Sequence, residues 1–253
     1  MKFSIEITTS TNISDLPNPE IVKDIYIVFV PGGNYRDILN TTKKLIEKGY
    51  NPVPHFAARS IRNLSVLKEY SSLCKSIGIT QILVIGGGSN PIGEYHCSMQ
   101  LIETGLLDNF KICIAGHPEG APNISDKQLQ DAMFAKINYA ERIITQWTLN
   151  IDAINKFVKT AKLPTHVGLL GPTSIKSLLK FANLVGSKNS LEFIKNNITK
   201  IPTLIKKQEP KNIIDKLDSR IDSIHFYTFG GITKTSQWIE NYFKKTVSKN
   251  QPY

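Results

Sequence analysis

Short apolar runs alternate with segments of helical periodicity along the chain. Eight of these runs are rich in β-branched and aromatic residues, as expected of strands buried on both faces of a sheet. In order, they cover residues 3–8, 25–30, 52–56, 82–85, 111–115, 142–146, 166–170 and 224–229. A helical segment follows each run, so the pattern predicts parallel strands joined by helical crossovers.

Capping residues support the predicted helices. Asn150 is a good N-cap for a helix over residues 151–161. Ser125 and Gln128 have the spacing of a capping box ahead of a helix predicted over 129–137.

The connection between the last two apolar runs is the longest in the chain. An apolar stripe covers residues 178–185 there, and extra helices are predicted over 191–198 and 213–217. Pro202 and Pro210 act as helix breakers in this connection. We interpret it as a local insertion within the domain.

The eight repeated units predict a single (β/α)₈ TIM barrel with extra helices between strands 7 and 8. A length of 253 residues is typical of one such barrel. The alternative is a doubly wound open sheet, but no G-x-G-x-x-G sequence follows the first strand. We assign residues 1–246 to the barrel domain and 247–253 to a polar C-terminal tail.

Charge and cysteine content narrow the classes of function. The chain has 31 Lys and Arg against 21 Asp and Glu, a net charge of +10. The basic residues are spread along the predicted helices without interleaved aromatics, which favours an anionic small molecule over a nucleic acid. The three cysteines form no C-x-x-C pair, so we expect no metal site and a reducing, cytoplasmic location. Because the N-terminus is polar and no long apolar stretch is present, we expect the protein to be neither exported nor embedded in a membrane.

In a barrel of this type, the active site lies at the C-terminal ends of the strands. Glu6 lies there between Ile5 and Ile7, and a carboxyl group on a buried strand is a candidate general acid because burial raises its pKa. Other candidates at strand ends are His55, Gly86–Gly88, His117, Glu119, Gln146 and Thr228.

Each candidate also has a purely structural interpretation. Glu6 is alternatively a solvated strand end, and His55 a hydrogen-bonded core histidine. His117 and the glycines are alternatively turn residues, and Gln146 a cap for backbone groups.

Five stretches, in order along the chain, resemble motifs of the methylenetetrahydrofolate reductase family. These are Phe3–Ile7 (S-F-E-F-F in the family), Pro54–Arg59 (P-H-L-T-C-R), Ala115–Gly120 (A-G-Y-P-E-G), Ile143–Gln146 (two hydrophobic residues, then T-Q) and His225–Thr228 (H-F-Y-T). The resemblance implies a barrel that acts on a tetrahydrofolate derivative. It also implies NADH or NADPH as the hydride source and, usually, a bound FAD.

The same resemblance implies roles for individual residues. Glu6 would be the general acid, and Gln146 and Gly88 would contact the folate. The basic surface suits the glutamate tail of folate, with Arg59 or Arg36 as its contact. Residues expected against the flavin, or against whatever replaces it, are His55, Gly86, Gly87, Tyr95, His117, Lys136 and Thr228.

The chain departs from the family pattern mainly at positions that bear on FAD. Gly86–Gly88 replace R-G-D, His117 replaces a tyrosine, and Ala121 replaces the second histidine of its segment. Ala135 stands where the first residue of a basic pair is expected, and Gly230-Gly231 replace N-R. Since Glu6 and Gln146 match, the pattern resembles the flavin-independent branch, in which hydride passes directly from nicotinamide to folate.

The sequence therefore predicts a methylenetetrahydrofolate reductase with Glu6 as the general acid, which either forms 5-methyltetrahydrofolate or catalyses the reverse reaction. The alternatives are a folate-dependent demethylase or methyl carrier, and a non-catalytic folate-binding barrel. We expect neither a nucleic-acid nor a membrane partner. A homo-oligomer is an open alternative to a monomer.

Overall fold

The computed structural model describes residues 1–88, 90–121, 124–148, 150–172, 209–221 and 223–249. The predicted stripe at 178–185, the predicted helix at 191–198 and Pro202 lie outside the described residues. So do residues 250–253 of the predicted tail.

Within the described residues, eight parallel strands form a closed barrel in which each strand pairs with its sequence neighbours and β8 pairs with β1. They are β1 Lys2–Ile7, β2 Asp24–Ile27, β3 Asn51–Ala57, β4 Gln81–Ile85, β5 Lys111–Gly116, β6 Ala140–Trp147, β7 Thr165–Leu170 and β8 Ser223–Tyr227. Every predicted strand is present, and the predicted (β/α)₈ barrel is confirmed. Closure leaves no unpaired sheet edge.

Seven α-helices lie in the described residues: α1 Tyr35–Glu47, α2 Leu64–Ser76, α3 Ser98–Ile102, α4 Asp126–Phe134, α5 Ile151–Thr160, α6 Pro210–Ile214 and α7 Ile232–Lys249. Three short 3₁₀ helices cover Ile13–Asp15, Ala58–Ser60 and Ile137–Tyr139. None of the described helices is long and apolar enough to cross a membrane.

Two helices are shifted from their predicted positions because their caps determine where they start. α4 begins directly after Ser125, whose hydroxyl accepts from the Gln128 amide, and it ends at Phe134 rather than at residue 137. α6 begins at Pro210, where the missing N–H costs nothing. α7 continues to Lys249, three residues beyond the boundary that we placed at 246.

Alternation along each strand divides the side chains between two regions. Outward residues such as Ile5 and Ile7 are at most 1% exposed, and they belong to the main core between the barrel and the helices. A second cluster of inward residues lies within the barrel and consists of Tyr26, Val53, Leu83, Cys113 and Ile144. Because Glu6 alternates with Ile5 and Ile7, the same rule turns it inward, at the C-terminal end of this inner cluster.

Candidate active site

Glu6 lies between two histidines at the C-terminal end of the barrel interior. Its Oε2 atom is 3.7 Å from His55 Nε2 on β3 and 3.6 Å from His225 Nε2 on β8. Both separations exceed a hydrogen bond. The Glu6 side chain is 13% exposed, whereas those of the histidines are 4% and 0% exposed. The Glu6 carboxyl group therefore lies at the mouth of the barrel, in surroundings that largely exclude water.

Burial disfavours the charged form of all three groups. It raises the pKa of Glu6, an effect that His55 partly opposes. Burial lowers the pKa of His55 to about 4 and that of His225 to about 3. At neutral pH the imidazoles are therefore uncharged, and they stabilise an ionised Glu6 less than imidazolium ions would. The raised pKa favours the protonated carboxyl group, which is the form that a general acid requires.

Ser4 positions the His225 ring from the same strand as Glu6. The Ser4 hydroxyl lies 3.0 Å from His225 Nδ1, and both side chains are buried. Within the described residues, His225 Nε2 and both ring nitrogens of His55 are buried without a hydrogen-bond partner. The two Nε2 atoms lie within 3.7 Å of Glu6 Oε2, so a small movement would bring either of them into hydrogen-bond distance of the carboxyl group.

The end of β8 ties the Glu6 strand to the Gln146 strand. Glu6 and Tyr227 are register partners on β1 and β8, and the Thr228 hydroxyl donates to the Glu6 carbonyl at 3.1 Å. The Tyr227 hydroxyl donates to the Thr145 carbonyl at 2.9 Å, which bridges β8 to β6 past β7. Burial, with a contribution from Glu6, raises the pKa of Tyr227 well above 10. Tyr227 is therefore a fixed, neutral donor beside Glu6.

Gln146 lies in an irregular stretch of β6. The pairing of β6 with β7 shifts register between Ile144 and Trp147, and Gln146 is exposed. Gly168 on β7 makes this shift possible, because a Cβ there would lie 2.4 Å from the Thr145 carbonyl oxygen and 2.7 Å from that of Gln146. Bulges of this kind re-aim side chains beside active sites.

Arg59 organises the loop that follows β4. Its backbone N–H donates to the Gly86 carbonyl at 3.0 Å, and its guanidinium donates to the carbonyls of His96 and Gly87 at 2.9 and 3.1 Å. Gly87 has φ +90°, which suits glycine, and Gly88 is exposed. The predicted ligand residues Arg59, Gly86 and Gly87 are thus brought together by a loop-stabilising network.

His117 and Lys136 form a separate polar group. The Lys136 ammonium donates to the Ser98 hydroxyl at 3.1 Å. Burial lowers the pKa of His117 to about 4, with a further contribution from Lys136. Burial also lowers the pKa of Lys136, and this is partly opposed by Cys97. Tyr95 is 7% exposed and belongs to the main hydrophobic core.

A cavity of about 190 Å³ opens above β1 and β8, with Glu6 among its lining residues. On one side it is lined by the loop after β1, which contributes Thr8, Ser10, Thr11 and Asn12. On the other side it is lined by the end of β8 and the start of α7, residues 227–230 and Ile232. It provides a polar, hydroxyl-rich approach to the candidate acid.

Sequence reasoning missed His225, Ser4 and Tyr227. All three occupy inward positions of their strands, and period-two alternation from Glu6 and through the H-F-Y-T stretch would have identified them. The run of hydroxyl residues directly after β1 was also a visible signal for the loop that lines the cavity.

The described residues contain no group of three or more His, Cys, Asp or Glu side chains that could hold a metal ion.

A family model described as methylenetetrahydrofolate reductase matches residues 36–241. The resemblance inferred from the motifs is therefore confirmed over most of the chain.

Among solved structures, the chain is similar to a putative phosphonomutase from Burkholderia cenocepacia J2315, with 12% identity over 79% of this chain and 92% of that one and a TM-score of 0.48. It is also similar to a putative chitinase A from Streptomyces coelicolor, with 8% identity over 95% and 98% of the two chains and a TM-score of 0.49. A sialic acid aldolase from Ruminococcus gnavus has 12% identity over 96% and 98%, with a TM-score of 0.46.

Proposed function

This chain belongs to the methylenetetrahydrofolate reductase family, and we propose that it reduces 5,10-methylenetetrahydrofolate to 5-methyltetrahydrofolate with hydride from NADH or NADPH. The observation that carries the proposal is the buried carboxyl group of Glu6 at the barrel mouth, between two imidazoles that are neutral at pH 7.

Glu6 supplies the proton of the proposed reaction. Proton transfer from its carboxyl group to one bridging nitrogen of the folate breaks the bond from that nitrogen to the methylene carbon. The carbon then remains as an iminium on the other nitrogen. When bound, NADH or NADPH supplies the hydride that converts this carbon to a methyl group. Glu6 is left as a carboxylate, and a proton from solvent restores it.

Gln146 and Tyr227 are proposed to position the folate. An exposed amide at the end of β6 offers both a donor and an acceptor to the amide edge of the pterin. Tyr227 fixes the end of β6 through its bond to the Thr145 carbonyl. The folate would thus span from β6 to β1, with the reacting nitrogen at Glu6.

Members of this family generally use a flavin with the nicotinamide, but the flavin-contact positions of this chain fit FAD poorly. His55 and Tyr95, which would lie against the flavin, are 3% and 7% exposed. Together with the loss of the R-G-D aspartate, this burial supports direct transfer from the nicotinamide to the folate.

The test is an anaerobic assay of the purified protein with methylenetetrahydrofolate and NADH or NADPH. The proposal predicts folate-dependent loss of the reduced nicotinamide, formation of 5-methyltetrahydrofolate, and a colourless protein. Flavin absorption bands would contradict direct transfer. Transfer of a methyl group from a methylated donor to tetrahydrofolate without nicotinamide turnover would indicate a demethylase or methyl carrier instead. Binding without turnover would indicate a folate-binding barrel.

A further inference from the structure

Glu119 is a strand-end candidate from the sequence that the proposed proton transfer does not use. It lies in the loop after β5, in the stretch His117-Pro118-Glu119-Gly120. The Gly120 N–H donates to the His117 carbonyl at 3.2 Å, which closes a turn over these four residues. Pro at the second position and Gly at the fourth are favoured in type I turns. Because Pro118 has a fixed φ, the turn presents Glu119 in a defined direction.

The Glu119 carboxylate is bonded to the loop of the neighbouring strand, β6. The Thr148 hydroxyl donates to Glu119 Oε2 at 2.5 Å, a length typical of a hydrogen bond from a hydroxyl to a charged oxygen. Thr148 is only 2% exposed, whereas Glu119 is exposed. Water could solvate an exposed carboxylate equally well, so the bond to a buried hydroxyl is a specific contact between the two loops.

Thr148 extends this contact to the start of α5. Its hydroxyl accepts from the Asn150 N–H at 3.0 Å while it donates to Glu119. The Asn150 side chain in turn accepts from the Ala153 N–H at 3.0 Å and caps α5. A continuous chain of hydrogen bonds therefore runs from the turn after β5 to the first turn of α5. We call Glu119, Thr148 and Asn150 the β5–β6 clamp.

Gln146 lies in a backbone stretch that is held from three directions. On the β7 side, the Gly168 N–H donates to the Thr145 hydroxyl at 2.8 Å, and the Gly168 carbonyl accepts from the Thr148 N–H at 3.3 Å. On the β8 side, the Tyr227 hydroxyl holds the Thr145 carbonyl. The β5–β6 clamp holds Thr148 from the β5 side. Because regular pairing between β6 and β7 is interrupted here, these bonds fix the backbone that carries the exposed amide.

We propose that Glu119 is a positioning residue for folate: through Thr148 it fixes the end of β6, and thereby the direction in which Gln146 presents its amide. Glu119 itself does not touch the substrate. The inference rests on the proposed function for the identity of the ligand and for the role of Gln146, whereas the β5–β6 clamp rests on the hydrogen bonds alone.

Preorganisation determines the expected effect. An amide on an unrestrained loop has to be ordered when a ligand binds, and this cost lowers affinity. Removing the Glu119 carboxylate should therefore weaken folate binding. It should leave the proton transfer intact, because Glu6 lies on β1 and has its own supporting contacts.

The test measures the dissociation constant for tetrahydrofolate by isothermal titration calorimetry, which requires no turnover. Glu119→Ala removes the acceptor of the hydrogen bond, and Thr148→Val removes the donor at nearly constant volume. We expect each substitution to raise the dissociation constant roughly three- to tenfold, as for loss of one net hydrogen bond. The double variant should bind no more weakly than the weaker single variant, since both changes remove the same bond.

Two conservative variants and one control separate positioning from general stability. Thr148→Ser keeps the hydroxyl and should bind like the wild type, and Glu119→Gln keeps an acceptor and should bind more tightly than Glu119→Ala. Asn51→Ala removes a side-chain bond of 2.7 Å to Asp24 at the opposite end of the barrel. It should lower the melting temperature comparably and leave the dissociation constant unchanged.

Steady-state kinetics with NADH provide a second readout that a purely structural role would not move selectively. Glu119→Ala should raise the KM for methylenetetrahydrofolate, while kcat stays within about twofold of the wild type, since the lost interaction contributes to binding rather than to the chemical step. The KM for NADH should not change.

The inference and the proposed reductase have separate outcomes. Wild-type affinity in both Glu119→Ala and Thr148→Val would overturn the positioning role, even in a protein that reduces methylenetetrahydrofolate. Additive losses in the double variant, or an equal loss in Asn51→Ala, would also contradict it. Affinity that depends on the β5–β6 clamp in a protein that never consumes NADH would support the positioning role and refute the reductase. A wild-type protein that binds no tetrahydrofolate would refute both.

Discussion

Replacing Glu6 by glutamine tests the proton donor without altering the shape of the site. The amide has nearly the same volume as the carboxyl group and remains between the imidazoles of His55 and His225. Because burial makes the ionised form of Glu6 costly, a permanently neutral side chain does not destabilise the barrel. We expect a melting temperature within about 2 °C of the wild type, since a change below about 1 kcal/mol moves it by no more than a few degrees.

The kinetic effect should be large because the N–H protons of an amide are too weakly acidic to be transferred to the folate nitrogen. Loss of a general acid lowers kcat by about 10²- to 10⁴-fold, which corresponds to about 3–5 kcal/mol of activation free energy. The Michaelis constants should stay near wild type, since neither substrate depends on Glu6 for binding. Wild-type activity should also fall as pH rises through the raised pKa of Glu6, and this limb should be absent from the residual activity of Glu6→Gln.

The assay is steady-state oxidation of NADH with methylenetetrahydrofolate across a range of pH. Glu141→Gln is the matched control, because Glu141 is an exposed carboxylate paired with Lys111 at 3.8 Å on the surface. It should have wild-type kinetics. A Glu6→Gln variant whose kcat stays within about threefold of the wild type, where general acids are worth at least a hundredfold, would remove Glu6 from the proton-transfer step.

Three further predictions concern the frame around the site. The free energy of unfolding should fall between pH 7 and 5, because histidines in the unfolded chain take up protons while folded His55 and His225, with pKa values of about 4 and 3, do not. Each histidine accounts for roughly 2 kcal/mol of this loss. Urea unfolding of His225→Asn should therefore show a weaker dependence on pH. Gly168→Ala should lower stability by about 1–3 kcal/mol in thermal melts and weaken folate binding. Gly86→Ala, where a Cβ meets nothing within 4 Å, is the control for stability alone and should leave the melting temperature unchanged; equal melting temperatures for the two variants would show that β6 does not need the close approach. Tyr227→Phe should lower stability by about 1 kcal/mol and raise the Michaelis constant for folate, because it frees the end of β6. Tyr50→Phe loses a comparable bond to the Pro17 carbonyl, so it should lower stability by about as much without a kinetic effect. An identical kinetic effect in both variants would contradict the positioning role of Tyr227.

The fold was accessible from the sequence because its signals are local. Each strand is a compact apolar run, and caps such as Ser125 and Asn150 mark where helices begin. Glu6 was identified for the same reason, since a carboxylate between two isoleucines on a buried strand is unusual and points to a functional role. The boundaries of α4 and α6 were displaced because apolar spacing was given more weight than the cap or proline that starts each helix.

The rest of the site depends on contacts between residues distant in sequence. His225 lies 221 residues from Ser4, and nothing local to either residue reveals their contact. The backbone conformation of Phe229 and the register shift beside Gly168 follow from how β6, β7 and β8 pack together. Arg59 is a further example: its position suggests a ligand contact, and nothing local shows that its guanidinium also holds the loop after β4.

The most direct test of the account follows deuterium from nicotinamide to folate. The protein would be incubated under anaerobic conditions with methylenetetrahydrofolate and NADH deuterated at the transferred position, and the product would be analysed by mass spectrometry. Direct transfer predicts 5-methyltetrahydrofolate with one deuterium in its methyl group. Absence of methyltetrahydrofolate, or a methyl group whose added hydrogen comes from solvent, would contradict the account.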